Sequence, residues 1–288
     1  MHTVKTKVYA KVNLTLEIVG VENGYHMLDS FVANVDIFDT IVVTKRKDKQ
    51  ISVTMKGRQV PCLDLEKNNA YKAAVAFMEK FNTTGVDITV FKDIPIGAGL
   101  GGSSADAAGV VNGMAALYEI TDEEGLDSLA DSLGSDTKYM RYGGFARMRG
   151  RGTELEFFDF DETLYFLLIC PKSSVSTPEC YRLYDKLSVG YADGERTRAC
   201  IDALRVGDMQ GTAKAFYNDL YAAANELNPC VGQAVEKAES LSPNGVTMTG
   251  SGSGVLAVFE SKELCDWAKS RYSGDGETFS TKTVAKKR

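Results

Sequence analysis

The densest run of chemistry-bearing residues is Pro95-Ile96-Gly97-Ala98-Gly99-Leu100-Gly101-Gly102-Ser103-Ser104-Ala105-Asp106-Ala107-Ala108, which sets four glycines and two serines ahead of a helical pattern. Glycine has no Cβ, so backbone N–H groups there can approach a ligand closely. The start of the following helix adds unpaired N–H groups and a partial positive charge. Together these features make a cradle for phosphate. Ser103 and Ser104 bring hydroxyls able to cap the helix, or to reach a phosphate oxygen or a magnesium ion. The plain alternative is a tight strand-to-helix turn capped by serine, which any single glycine-rich turn more often is; the length and composition of this one favour phosphate. Gly97, Gly99 and Gly102 also satisfy G-x-G-x-x-G, but the helix they open is followed by a second helix, TDEEGLDSLADSL, where a dinucleotide fold needs a parallel strand. The GKS or GKT of a Walker loop is absent.

Other groupings stand out less by themselves. In Tyr9-Ala10-Lys11-Val12-Asn13-Leu14 the spacing puts Lys11 and Asn13 on one face of a strand, either as a solvated polar pair or as a buried lysine that needs a partner. Asn23-Gly24-Tyr25-His26 is a turn signal followed by an aromatic and one of only two histidines. Asp136 closes Leu133-Gly134-Ser135-Asp136 after a helix, a place where a carboxylate is usually surface decoration. Thr247-Met248-Thr249-Gly250-Ser251-Gly252-Ser253-Gly254 is a second glycine-rich turn, readable as a plain hairpin.

The elements that must carry these residues follow from periodicity. Residues 4 to 20 and 35 to 56 alternate apolar and polar, which predicts strands with one face buried. Asn68 or Asn69 caps a helix to about Phe81, and a strand follows at 86 to 91. Helices are expected from 103 to 118 and 122 to 133, strands at 144 to 149 and 164 to 169, then helices at 195 to 208, 209 to 225 and 229 to 241. Strands at 246 to 249 and 255 to 259 and a helix from Lys262 complete the pattern, with the tail KTVAKKR read as a solvated end. A chain of 288 residues suggests two domains, divided near residue 160 into 1–160 and 161–288. The net charge of −6 argues against nucleic acid, and no segment has the length of a membrane span. Six cysteines without a CxxC pair fit a reducing cytoplasm, with Cys170 expected as a buried thiol.

The run GAGLGGSSADAA resembles the second motif of the GHMP kinase superfamily, a glycine-rich loop before a long helix that wraps the triphosphate of ATP. Preceded by Lys92 and Ile94-Pro95, its form is most similar to the branch whose acceptor carries a diphosphocytidyl group. AKVNL resembles the first motif and the 247–254 turn the third. Gly150-Arg151-Gly152, Pro171 and Ser176-Thr177-Pro178-Glu179-Cys180-Tyr181 match as well, as does Asn218-Asp219-Leu220 with Asn228-Pro229, so the likeness runs from Lys5 to Phe259.

This resemblance implies an α+β, two-domain GHMP kinase fold, with an N-terminal domain like domain 2 of ribosomal protein S5 and a ferredoxin-like C-terminal domain. It implies ATP and Mg²⁺, a cytidine diphosphate-linked methylerythritol as acceptor, and a monomer or homodimer. By the same resemblance Pro95, Gly97, Gly99, Leu100, Gly101, Gly102, Ser103 and Ser104 hold the nucleotide, and Ser103 or Ser104 meets the magnesium ion. Asp136 accepts the proton of the reacting hydroxyl, with Lys11 beside it. Asn13, Tyr25, His26, Thr177, Tyr181, Gly250 and Ser251 bind the acceptor, Tyr25 and Tyr181 closing on the cytosine ring. Two departures are visible: Ser103 stands where a third glycine is usual, and Thr137-Lys138-Tyr139 replaces Val-Pro-Phe after the aspartate. A homoserine or mevalonate-type kinase, or a catalytically silent binding protein of this fold, remains the competing reading.

Overall fold

A computed structural model describes residues 2–57, 64–187 and 190–285. The chain opens with strands β1 (Thr3–Asn13), β2 (Thr15–Glu22), β3 (Tyr25–Lys45) and β4 (Ile51–Gly57). Helix α1 (Asn69–Phe81), β5 (Val86–Lys92), α2 (Gly102–Tyr118), α3 (Glu123–Leu133) and α4 (Thr137–Tyr142) follow. Next come β6 (Phe145–Gly150), β7 (Glu154–Phe158), β8 (Tyr165–Cys170), α5 (Thr177–Leu187), α6 (Glu195–Arg205) and α7 (Met209–Lys214). The last elements are β9 (Tyr217–Asn218), α8 (Tyr221–Leu227), α9 (Cys230–Glu239), β10 (Gly245–Met248), β11 (Val255–Phe259), α10 (Lys262–Arg271) and β12 (Glu277–Val284). Among the described residues no helix is long and apolar enough to cross a membrane.

Two compact units interleave along the chain. The first comprises Met1–Ala10, Ile37–Pro95 and Gly101–Gly143; the second comprises Lys11–Asp36, Ile96–Leu100 and Gly144–Arg288. In the first, the end of β3 pairs antiparallel with β5, from Thr40 opposite Phe91 to Lys45 opposite Val86, and β4 runs parallel to β5. Helices α1 and α2 are apolar where they must pack. Asn68 caps α1 as its sequence predicts, its side chain accepting from the Ala70 N–H at 2.9 Å. Helix α2 is buried along most of its length, as its lack of a polar face requires. Gly109 explains how it comes so close to the strands: a Cβ there would sit 2.5 Å from Ile41 Cγ1 and 2.9 Å from Val8 Cγ1.

In the second unit β8 lies between β11 and β12, both antiparallel to it, and β10 extends this sheet beyond β11. Its core joins Leu16, Ile18, Leu167, Ile169, Val255 and Ala257 with Ala223, Ala224 and Val231 from the helices. Cys170 is buried and free, and burial, helped by the charge of Glu277, pushes its thiol up to about 12. Cys62 lies outside the described residues.

The structure corrects two expectations. The helix expected over 209 to 225 breaks into α7 and α8, because the chain between them is captured as a strand. Tyr217 and Asn218 pair parallel with Thr15 and Leu16, and Asn218 Nδ2 donates to the carbonyls of Met248 (2.7 Å) and Gly250 (2.9 Å). The tail is not simply solvated either. Lys282, Thr283 and Val284 belong to β12, with Lys282 opposite Tyr165 and Thr283 opposite Val35. Elements α4, α5 and β7 were not anticipated from periodicity; α4 and β7 are short, while the apolar stripe of α5 (Cys180, Leu183, Tyr184 and Leu187) is set in an otherwise polar run.

The packing at Gly109 sets a testable balance. Gly109→Ala gains about 1 kcal/mol of helix propensity but overpacks two side chains, a cost of roughly 1–3 kcal/mol. Both contacts fall under 3.0 Å, which favours the upper end, so we expect a net loss of about 1–2 kcal/mol in urea unfolding. A stabilised variant would contradict the packing described.

Candidate active site

The end of β1 turns the sequence pair Lys11 and Asn13 into a polar node within the second unit. Both side chains are buried. Lys11 Nζ donates to Asn13 Oδ1 at 2.8 Å, and the same oxygen accepts from the Gly250 N–H at 3.0 Å and from Thr249 Oγ1 at 3.3 Å. Asn13 Nδ2 donates to Ser30 Oγ on β3 at 2.8 Å, while the Asn13 N–H donates to Thr249 Oγ1 at 3.0 Å. The backbone of Lys11 donates to Leu100 O at 3.0 Å. The buried-lysine reading of the first motif is therefore correct.

The two glycine-rich turns pack against each other, backbone to backbone. Gly97, Gly99 and Gly101 all have positive φ (76°, 72° and 68°), a conformation that side chains disfavour. A Cβ on Gly250 would lie 3.0 Å from Gly99 O, one on Gly99 would run into Thr249 O, and the Gly254 N–H donates to Ala98 O at 3.2 Å. Thr177 and Ser251 are joined by a hydroxyl–hydroxyl bond of 2.7 Å. On the same unit the His26 ring lies 4.8 Å from the Tyr181 ring, tilted by 34°. Tyr25 is half exposed, and the Arg151 guanidinium sits 3.7 Å over its ring.

The first unit carries its own set of residues singled out by the motifs. Helix α2 starts after Gly101, whose position offers no side-chain cap, so the first-turn amides are left for another acceptor; this fits an anion such as phosphate. Pro95 is buried, and Ser103 points to solvent. Ser104 Oγ instead faces the loop before Asp136, 3.8 Å from where a Cβ on Gly134 would stand. Asp136 is half-buried and precedes α4, accepting at its carbonyl from the Met140 N–H at 3.0 Å. The Thr-Lys-Tyr departure keeps an apolar-like footprint: Thr137 and Tyr139 are fully buried, while Lys138 turns to Asp131 at 3.4 Å. Burial, then the charge of Asp136, pushes the Tyr139 hydroxyl well above its usual range. Helix α4 is braced by Arg141, which donates to Asp127, to Glu123 at 2.9 Å and to Asn112 Oδ1 at 3.0 Å.

A family model, GHMP kinases N terminal domain, matches residues 68–144. A 4-diphosphocytidyl-2-C-methyl-D-erythritol kinase of Macrococcus caseolyticus is 35% identical over 252 residues, covering 86% of this chain and 88% of that protein. The chain belongs to the 4-diphosphocytidyl-2-C-methyl-D-erythritol kinase family. A member from Clostridium beijerinckii is 33% identical over 288 residues, covering 97% of this chain and all of its own length. The crystal structure of a 4-(cytidine 5'-diphospho)-2C-methyl-D-erythritol kinase superposes with a TM-score of 0.79 at 28% identity, over 98% of this chain and 100% of that one. The mixed α and β architecture of this kinase fold is thus the one the motifs implied.

Beneath the start of α2 lies an ion cluster that motif reading missed. Lys92 Nζ donates to Asp39 and, at 2.9 Å, to Asp106 Oδ2; all three side chains are buried. Asp39 also accepts from the N–H groups of Asp93 (2.7 Å) and Ile94 (2.9 Å), and the missing Cβ of Gly102 would sit 3.3 Å from Lys92 Nζ. A signal for it was present: alternation puts Asp39 on the face of Ile37, Ile41 and Val43, and Lys92 on the face of Val86, Ile88 and Val90. Charges on buried faces must find each other.

Burial raises the Asp106 carboxyl to about 7 despite the Lys92 ammonium, and the charge of Asp39 adds to the rise. Burial works against the Lys92 ammonium, but Asp106 and Asp39 outweigh it and raise its proton affinity. For Asp106 the folded protein holds its proton more tightly than the unfolded chain, whose carboxyl titrates near 4. Its stabilising contribution is therefore complete below about 4 and is lost as pH rises through about 7. Asp106→Asn cannot ionise, so its melting temperature should fall less between pH 5 and pH 8 than that of the unmutated protein. Parallel pH profiles would show that Asp106 does not titrate there.

Proposed function

We propose that this chain transfers the γ-phosphoryl group of ATP to the 2-hydroxyl of 4-diphosphocytidyl-2-C-methyl-D-erythritol, a step of non-mevalonate isoprenoid biosynthesis in the cytoplasm. The observation that carries the choice of acceptor is the meeting of His26 with Tyr181. A homoserine or mevalonate-type kinase shares the phosphate turn but has no planar base for these rings to read.

Phosphoryl transfer relies on positioning and charge neutralisation more than on covalent chemistry. The amides of the turn from Gly97 to Gly102 and the first turn of α2 are assigned to the phosphates, which the uncapped helix start suits. A magnesium ion bound there would supply charge neutralisation. Of the two serines Ser104 is the better protein ligand, because it faces the loop of Asp136 while Ser103 points to solvent. Asp136 is assigned the hydroxyl proton and Lys11 the orientation of the attacking oxygen. Asn13, Gly250, Ser251 and Thr177 form the wall for the acceptor's polar groups, since hydrogen bonds already fix them into one constellation. Tyr25 and Tyr181 are assigned the base.

Two measurements test this. Given the diphosphocytidyl compound, homoserine and mevalonate in turn, the protein should consume ATP with the first alone; turnover of another acceptor in its place would overturn the substrate assignment. Asp136→Asn should lower turnover by about 10²- to 10⁴-fold, the range typical of a general base, with ATP affinity retained in calorimetry. Near-normal turnover would remove Asp136 from the mechanism.

A further inference from the structure

The second unit contains a carboxylate that none of the motifs assigns. Asp185 Oδ1 lies 2.6 Å from His26 Nε2, although 159 positions separate the two residues in the chain. It belongs to α5, where Tyr181, Tyr184 and Asp185 stand at i, i+3 and i+4 and so share one face. All three meet the histidine. The Tyr181 ring lies along its face, the Tyr184 ring meets it edge-on at 6.1 Å and 79°, and Asp185 takes one nitrogen. A single helix thereby fixes the plane of the imidazole. The His26 side chain is only 16% exposed, and Nδ1 has no hydrogen-bond partner among the described residues.

We propose that Asp185 sets the base preference of the acceptor site, by holding His26 in the tautomer whose Nδ1 is a hydrogen-bond acceptor. This rests on the cytidine reading above. An ionised carboxylate only accepts hydrogen bonds, so Nε2 must carry the proton; in a neutral imidazole the other nitrogen then presents a lone pair. Cytosine displays an amino donor at N4 where uracil displays the O4 acceptor. Nδ1 can accept from the first and faces lone pair to lone pair with the second. The discrimination thus comes from which nitrogen is protonated, while the tyrosines, which stack on any base, contribute affinity without choosing. Asp185 acts through His26 and is a positioning residue.

Calorimetry with CDP and UDP as probes reads this directly. The unmutated protein should prefer CDP by roughly 10- to 100-fold, the value of one matched against one mismatched buried hydrogen bond. Asp185→Ala frees the imidazole to take either tautomer, so the ratio should fall to within about threefold of unity while ATP affinity and melting temperature hold. Asp185→Glu keeps an acceptor-only carboxylate and should restore most of the preference. A merely structural role would weaken both nucleotides alike and leave their ratio unchanged. If CDP binds and the ratio survives in Asp185→Ala, or if the unmutated protein binds CDP and UDP equally, the tautomer assignment is wrong while the kinase reading stands. If neither nucleotide binds the unmutated protein, the cytidine reading itself falls and this inference with it.

Discussion

The side-chain amide of Asn13 is the contact on which the polar node at the end of β1 depends. Its oxygen takes three donors, Lys11 Nζ, the Gly250 N–H and Thr249 Oγ1, and its nitrogen reaches Ser30 Oγ. One buried amide therefore ties the end of β1 to β3 and to the second glycine turn. That turn in turn abuts the first, where only glycine leaves room for Gly99 and Gly250 to meet through their backbones. Leucine at position 13 would take the Oδ1 acceptor away from both the Lys11 ammonium and the Gly250 N–H, at about 0.5–1.5 kcal/mol for a neutral hydrogen bond and more for the charged one. The lysine that the motif offers for catalysis is held in place by the same group that shapes the glycine turns.

The first unit solves a matching problem with charge. One ammonium between two carboxylates is an expensive arrangement to bury, and apolar replacements of buried ion pairs are often no less stable. Its use is better sought in geometry. Asp39 holds the Asp93 and Ile94 amides, just ahead of the glycine-rich turn, and Lys92 connects that point to Asp106, one turn into α2. The spacing between the end of β5 and the start of α2 is set by this cluster, and Gly102 leaves the space that the ammonium occupies. Arg141 does the same for α4, spreading its donors over α2 and α3 so that the backbone beside Asp136 has a fixed support.

The aromatic residues at the start of β3 are arranged differently again. Tyr25 and His26 are neighbours in sequence at the start of β3, yet they pack on different sides: Arg151 covers a face of Tyr25, whereas α5 lies against His26.

Local sequence by itself determined the elements that announce themselves through period and caps. Asn68 before α1, the helix over 122 to 133 and the strand alternation up to Lys92 are of this kind, as are the two glycine turns, whose composition admits few other conformations. It also placed Lys11 and Asn13 on one face, because alternation along a strand needs no partner to be true. Tertiary structure alone decided whether that face was buried. It also turned the helical pattern at 209 to 225 into two helices and a strand, since β2 and the carbonyls of Met248 and Gly250 compete for Asn218. The pairing of His26 with Asp185 and the meeting of Asp39, Lys92 and Asp106 were settled at the same level. Spacing along the chain fixes which way a side chain points, but what it meets there depends on which distant strands and helices pack against it, and no local pattern encodes that.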